Sequence, residues 1–96
     1  PAVIGWGVGN ETWGLLKKFY GKPYLTELRM AYLNMVQQMA VDIKQIDPTR
    51  VVFTAMEHTR YQTEAELFNY HRFAPAVDIM AVNSYYEEQI SQLAQI

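Results

Sequence analysis

Asn10 and Glu11 are the residues of this chain best suited to chemistry. They stand side by side where the apolar run Val3-Ile4-Gly5-Trp6-Gly7-Val8 gives way to polar sequence. A carboxylic acid can protonate a leaving oxygen. An amide beside it can hydrogen-bond the neighbouring hydroxyl. That pairing suits cleavage of a glycosidic bond, whose oxygen leaves poorly unless protonated. A Glu in a partly apolar pocket keeps its proton near neutral pH, which fits the acid's part. The structural alternative is that Glu11 favours the first helical turn after the strand, where a carboxylate is stabilising.

The remaining candidates are more scattered. Trp13 is expected in the loop after the first strand, either as a stacking platform for a sugar ring or as a core aromatic. Glu57-His58 closes the second strand. Glu57 is a candidate second carboxylate and His58 a candidate contact for a sugar hydroxyl or a substrate carboxylate. A solvated loop pair is the competing reading of both. Arg60, Lys17 and Lys18 are candidates for an acidic sugar, although single basic residues are usually solvated surface. The histidines, His58 and His71, are not at ligand spacing, so no metal site and no cofactor are expected. Asn10-Glu11-Thr12 also matches a glycosylation sequon, which a pocket position for Asn10 would make inaccessible.

Three strands must position these residues. Val3 to Val8 carries almost no polar side chain and reads as a strand buried on both faces, as in a parallel sheet. Leu25 to Ile46 reads as a long amphipathic helix, with Leu28, Ala31, Tyr32, Met35, Met39, Val41, Ile43 and Ile46 mostly three or four apart. Thr26 is its expected cap, and Asp47-Pro48 ends it. Arg50 to Met56 and Val77 to Val82 read as the second and third strands. Thr63 with Glu66 predicts a capping box opening a shorter helix, and Glu87 onward a third. Asp78 and Arg50 enter strands and read as structural. Trp6 and Met30, Met35, Met39, Met56 and Met80 read as packing. The alternation implies an α/β fold with a parallel sheet.

The chain has 96 residues, half of them hydrophobic, and a formal net charge of −2. Such a composition excludes disorder and gives no electrostatic case for nucleic acid. No apolar run is long enough to span a membrane. With no cysteine, disulfides and thiolate metal sites are excluded. Three parallel strands alone leave two open edges and little core. The expectation is therefore one segment, residues 1–96, cut from the centre of a larger barrel, with the remainder of that barrel as its partner.

The three strand ends carry a resemblance. Val3 to Glu11 resembles the fourth strand of retaining glycoside hydrolases of the large (β/α)8 clan, in which Asn-Glu ends that strand. Asp47-Pro48-Thr49-Arg50-Val51-Val52-Phe53 is similar to the entry to strand five. Val77 to Tyr86, ending Asn83-Ser84-Tyr85-Tyr86, is similar to strand six of the β-glucuronidases of glycoside hydrolase family 2. The resemblance implies a partial TIM (β/α)8 barrel of three parallel strands alternating with three helices. It implies Glu11 as general acid/base and Asn10 as ligand of the sugar 2-hydroxyl. It implies Tyr85 beside the nucleophile, orienting it, and Asn83 at the pocket edge. An oligosaccharide or glycoside is the implied substrate.

The same resemblance places the nucleophile on a seventh strand, beyond these residues, so the isolated chain is expected to be inactive. Glu87-Glu88 and Glu57-His58 depart from the β-glucuronidases and leave the sugar open. Two other readings stand beside this one. The chain can be part of a carbohydrate-binding or non-catalytic barrel, or a small α/β module acting through protein contacts.

Overall fold

The computed structural model describes residues 2–57 and 71–83. Within them the elements run β1 (Gly5–Asn10), α1 (Thr12–Phe19), α2 (Tyr24–Ile46), β2 (Val51–Glu57) and β3 (Ile79–Asn83), with residues 71–73 helical. The strands form one open parallel sheet in the order β1-β2-β3. The chain is thus α/β, and parallel strands in sequence order bring their C-terminal ends to one edge. The expected helices beginning at Thr63 and Glu87 lie outside the described residues.

The core forms between α2 and one face of the sheet. Leu33, Val36 and Ala40 recur at three- and four-residue spacing on α2 and are fully buried. Val52 and Met56 meet them from β2, with Tyr32 of α2 and Val8, Trp13, Ala74 and Val77 completing the cluster. Full burial of a Leu or Val side chain stabilises by about 1.5–3 kcal/mol, so this stripe does most to hold the helix on the sheet. No described helix is long and apolar enough to cross a membrane.

The opposite face is open. Val51, Phe53 and Ile79 are 40%, 36% and 49% exposed. Gly7 allows Phe53 to lie flat on β1, since a Cβ built there would stand 2.9 Å from the Phe53 ring. The expectation of a first strand buried on both faces is therefore corrected. Only Val8 of β1 is buried, and Trp6 is 42% exposed, because among the described residues the helices cover a single face and β2 alone pairs with β1.

Other local expectations also change. Trp13 lies on α1, a helix the sequence pattern did not predict; Gly14 weakens that segment's helix propensity and its length is only eight residues. Thr26 does not cap α2, which starts two residues earlier after Pro23. Met35 is 52% exposed, whereas Met56 is buried and Met30, Met39 and Met80 pack against the core. Asp47 ends α2 as expected, its N–H donated to Ile43 O at 2.8 Å.

At the strand-entry edge, Asp47 accepts from Trp6 Nε1 (3.1 Å), Thr49 Oγ1 (2.8 Å) and Arg50 Nη1 (2.9 Å). Those donors, Trp6 foremost, hold its carboxyl below the usual aspartate range. Asp78 accepts from Lys44 Nζ at 2.7 Å and from Val52 N at 2.9 Å, which lowers its pKa likewise. Arg50 and Asp78 are thus structural, tying the starts of β2 and β3 to α2.

Candidate active site

The site is built by a register slip. Gly5, Trp6 and Gly7 pair with Val51, Val52 and Phe53, but Asn10 pairs with Ala55, where uninterrupted pairing would set it against Met56. Strand side chains alternate between faces, so a slip of one residue moves a side chain across the sheet. Asn10 shares the parity of buried Val8 and would otherwise face the core. The bulge re-aims it onto the open face beside Ala55, the use to which bulges are put next to active sites. Gly9 makes the bulge with φ +84°, a region that glycine enters without penalty.

Glu11 follows in the left-handed region, with φ 55° and ψ 20°. A residue with a Cβ costs about 1–2 kcal/mol there. Two backbone bonds offset the cost: Glu11 N donates to Ala55 O at 2.9 Å, and Glu11 O accepts from Leu15 N at 3.3 Å, opening α1. Glu11 is the residue preceding α1, yet its side chain makes no capping bond. The carboxylate goes elsewhere.

It goes to Asn83, the last residue of β3. Asn83 Nδ2 donates to Glu11 Oε1 at 3.0 Å and to Asn10 Oδ1 at 2.9 Å. One amide group thereby spends both its protons joining two acceptors from the far strand, across the end of β2. With Oδ1 of Asn10 engaged, its own Nδ2 presents donors to an incoming acceptor. The half-buried carboxyl of Glu11 supplies a proton donor or acceptor next to them. A proton-transferring acid with a neutral hydrogen-bonding amide at its side is what the arrangement offers.

The other expected site residues divide. Trp13 is 6% exposed, with the Arg29 guanidinium 4.2 Å over its ring and Arg29 Nη2 donating to its carbonyl at 3.1 Å. That placement matches the core-aromatic reading of Trp13; a stacking platform would need an open ring face. Glu57 ends β2 opposite Asn83 in the β2–β3 register. His58, Arg60 and Tyr85 lie outside the described residues. Lys17 and Lys18 fall in the last turn of α1, where cations complement the helix dipole. No group of three or more His, Asp or Glu suited to a metal ion occurs among the described residues.

Sequence reasoning missed Gly9, Arg29 and Tyr32. The glycine immediately before Asn10 was the available signal, because an isolated Gly inside a strand marks a bulge. Tyr32 was legible only as part of the apolar stripe of α2 and Arg29 not at all, since only the packing of α2 brings either to this segment. Compared with known proteins, the chain matches no family model, no curated protein and no solved structure.

Proposed function

We propose that this chain is the section of a retaining β-glycoside hydrolase catalytic barrel that carries the general acid/base. The observation that supports it is the convergence of Asn10, Glu11 and Asn83 on one strand-end edge of a parallel sheet. Chemistry in (β/α)8 barrels sits at that edge. The open apolar face, lined by Val51, Phe53 and Ile79, is compatible with the inside of such a barrel.

In this reading Glu11 protonates the leaving glycosidic oxygen and then deprotonates the attacking water. Asn10 donates from Nδ2 to the sugar hydroxyl beside the reacting carbon. Asn83 holds both in place. The nucleophile is a second carboxylate about 5–5.5 Å from Glu11, contributed by another part of the barrel. Tyr85 is assigned to orient that nucleophile, and Glu57 and His58 to the pocket rim.

The test is Glu11→Gln in the full-length protein. Turnover is measured on methyl and dinitrophenyl β-glycosides of glucuronic acid, galactose, glucose and mannose. The methyl glycosides need a proton on the leaving oxygen and should lose about 100-fold or more, within the usual contribution of acid catalysis. The dinitrophenyl glycosides should lose much less. Equal loss on both series would overturn the acid/base assignment.

A further inference from the structure

The bulge that carries Asn10 and Glu11 rests on α2. Tyr32 is 8% exposed, and a Cβ built on Gly9 would stand 2.6 Å from its Oη and 3.7 Å from its Cζ. The hydroxyl therefore occupies the space a side chain at position 9 would need. One turn earlier, Arg29 stacks on Trp13 and donates to its carbonyl at 3.1 Å. Positions 29 and 32 are neighbours on one helix face. That face thus meets both ends of the segment from Gly9 to Trp13, with Asn10 and Glu11 between. The left-handed turns at Gly9 and Glu11 lie inside the clamped stretch. Unusual backbone conformations of this kind persist when their surroundings over-determine them.

We propose that Tyr32 is a positioning residue for Glu11: its hydroxyl seats the Gly9 bulge, and the bulge turns Asn10 and Glu11 onto the open face where Asn83 receives them. The proposal rests on the reading of Glu11 as the acid/base. Tyr32 touches no substrate. It acts by setting where the carboxyl stands relative to a leaving oxygen.

The experiment compares Tyr32→Phe, Gly9→Ala, the double variant and Glu11→Gln in the full-length protein, on a methyl and a dinitrophenyl β-glycoside of the same sugar. A displacement of about 1 Å at a catalytic group costs up to about 100-fold. Tyr32→Phe should therefore lower turnover of the methyl glycoside by about tenfold, with the dinitrophenyl glycoside within about threefold of the wild type. Gly9→Ala should be worse, and adding Tyr32→Phe should return part of that loss by removing the clashing oxygen, a non-additivity expected of residues in contact. Circular dichroism and the urea midpoint establish that each variant is folded. Tyr32→Phe removes a single atom and carries the test should Gly9→Ala fail to fold. Equal losses on both substrates for Tyr32→Phe overturn the positioning role while leaving Glu11 as the acid/base. If Glu11→Gln shows no preference between the substrates, the underlying reading falls and the proposal with it.

Discussion

Asn83 Nδ2 donates to Glu11 Oε1 across 3.0 Å, although 72 positions separate the two residues in the chain. Asn83 ends β3, Glu11 directly follows β1, and β2 lies between those strands. The bond therefore reports a correctly assembled edge: it forms only if both strand registers are right and the bulge in β1 is present.

Replacing Asn83 by Ala removes an amide that donates to both the Asn10 and the Glu11 side chains. A typical intramolecular hydrogen bond contributes about 0.5–1.5 kcal/mol net, and Asn83 makes two of them here. In the full-length protein Asn83→Ala should reduce turnover of a methyl β-glycoside by about tenfold or more, with a smaller effect on a dinitrophenyl one. Unchanged turnover of both would mean that the Asn83 bridge plays no part in placing the acid.

At the opposite edge, Asp78 and Lys44 form an ion pair at 2.7 Å, but the two residues should not be equal on mutation. Lys44 is about one-third exposed, and exposed ion pairs contribute at most about 1 kcal/mol. Asp78 also accepts from the N–H of Val52, a fully buried residue. Removing that acceptor leaves a buried donor unsatisfied at a cost of about 1–3 kcal/mol. Asp78→Ala should lower the free energy of unfolding in urea by at least twice as much as Lys44→Ala. Similar losses would place the ion pair, rather than the backbone contact, in control.

The same carboxylates set the response to acid. Asp47 and Asp78 both have lowered pKa values in the folded chain, through their hydrogen bonds to Trp6 and Lys44 first. A depressed carboxylate contributes stability that is present above its unfolded pKa and lost as pH falls through its folded pKa. The unfolded value lies near about pH 4. The contribution of this pair to the urea midpoint should hold from neutral pH to about pH 5, then fall progressively below about pH 4. The double variant Asp47→Asn, Asp78→Asn should begin lower at neutral pH and lose less on acidification. A variant that keeps the full acid-dependent loss would assign it to other groups.

Much of the architecture was legible in the residues themselves. The helical spacing of Leu28, Tyr32, Met39 and Ile43 and the stop at Asp47-Pro48 define α2 almost to the residue. The β-rich runs around Val52 and Met80 define two strands, and their alternation with helix implies a parallel sheet. These are local signals: side-chain period, proline geometry and β-branched content act within a few residues. Asn10-Glu11 was legible for the same reason, as an adjacent pair at a strand end.

Tertiary structure decided the rest, because it depends on contacts between distant residues. Local pattern made β1 a doubly buried strand, but burial is set by which elements cover a sheet, and the described helices cover one face. Local pattern put Trp13 in a loop, but Arg29 from α2 stacks on its ring and α1 forms around it. Above all, the face that Asn10 presents follows from the one-residue slip at Gly9, seated on Tyr32, and from Asn83 arriving on β3. The sequence by itself determined which polar residues stand at and beside the strand ends. Which way they point was decided by register and packing, since a strand's two faces differ by a single residue.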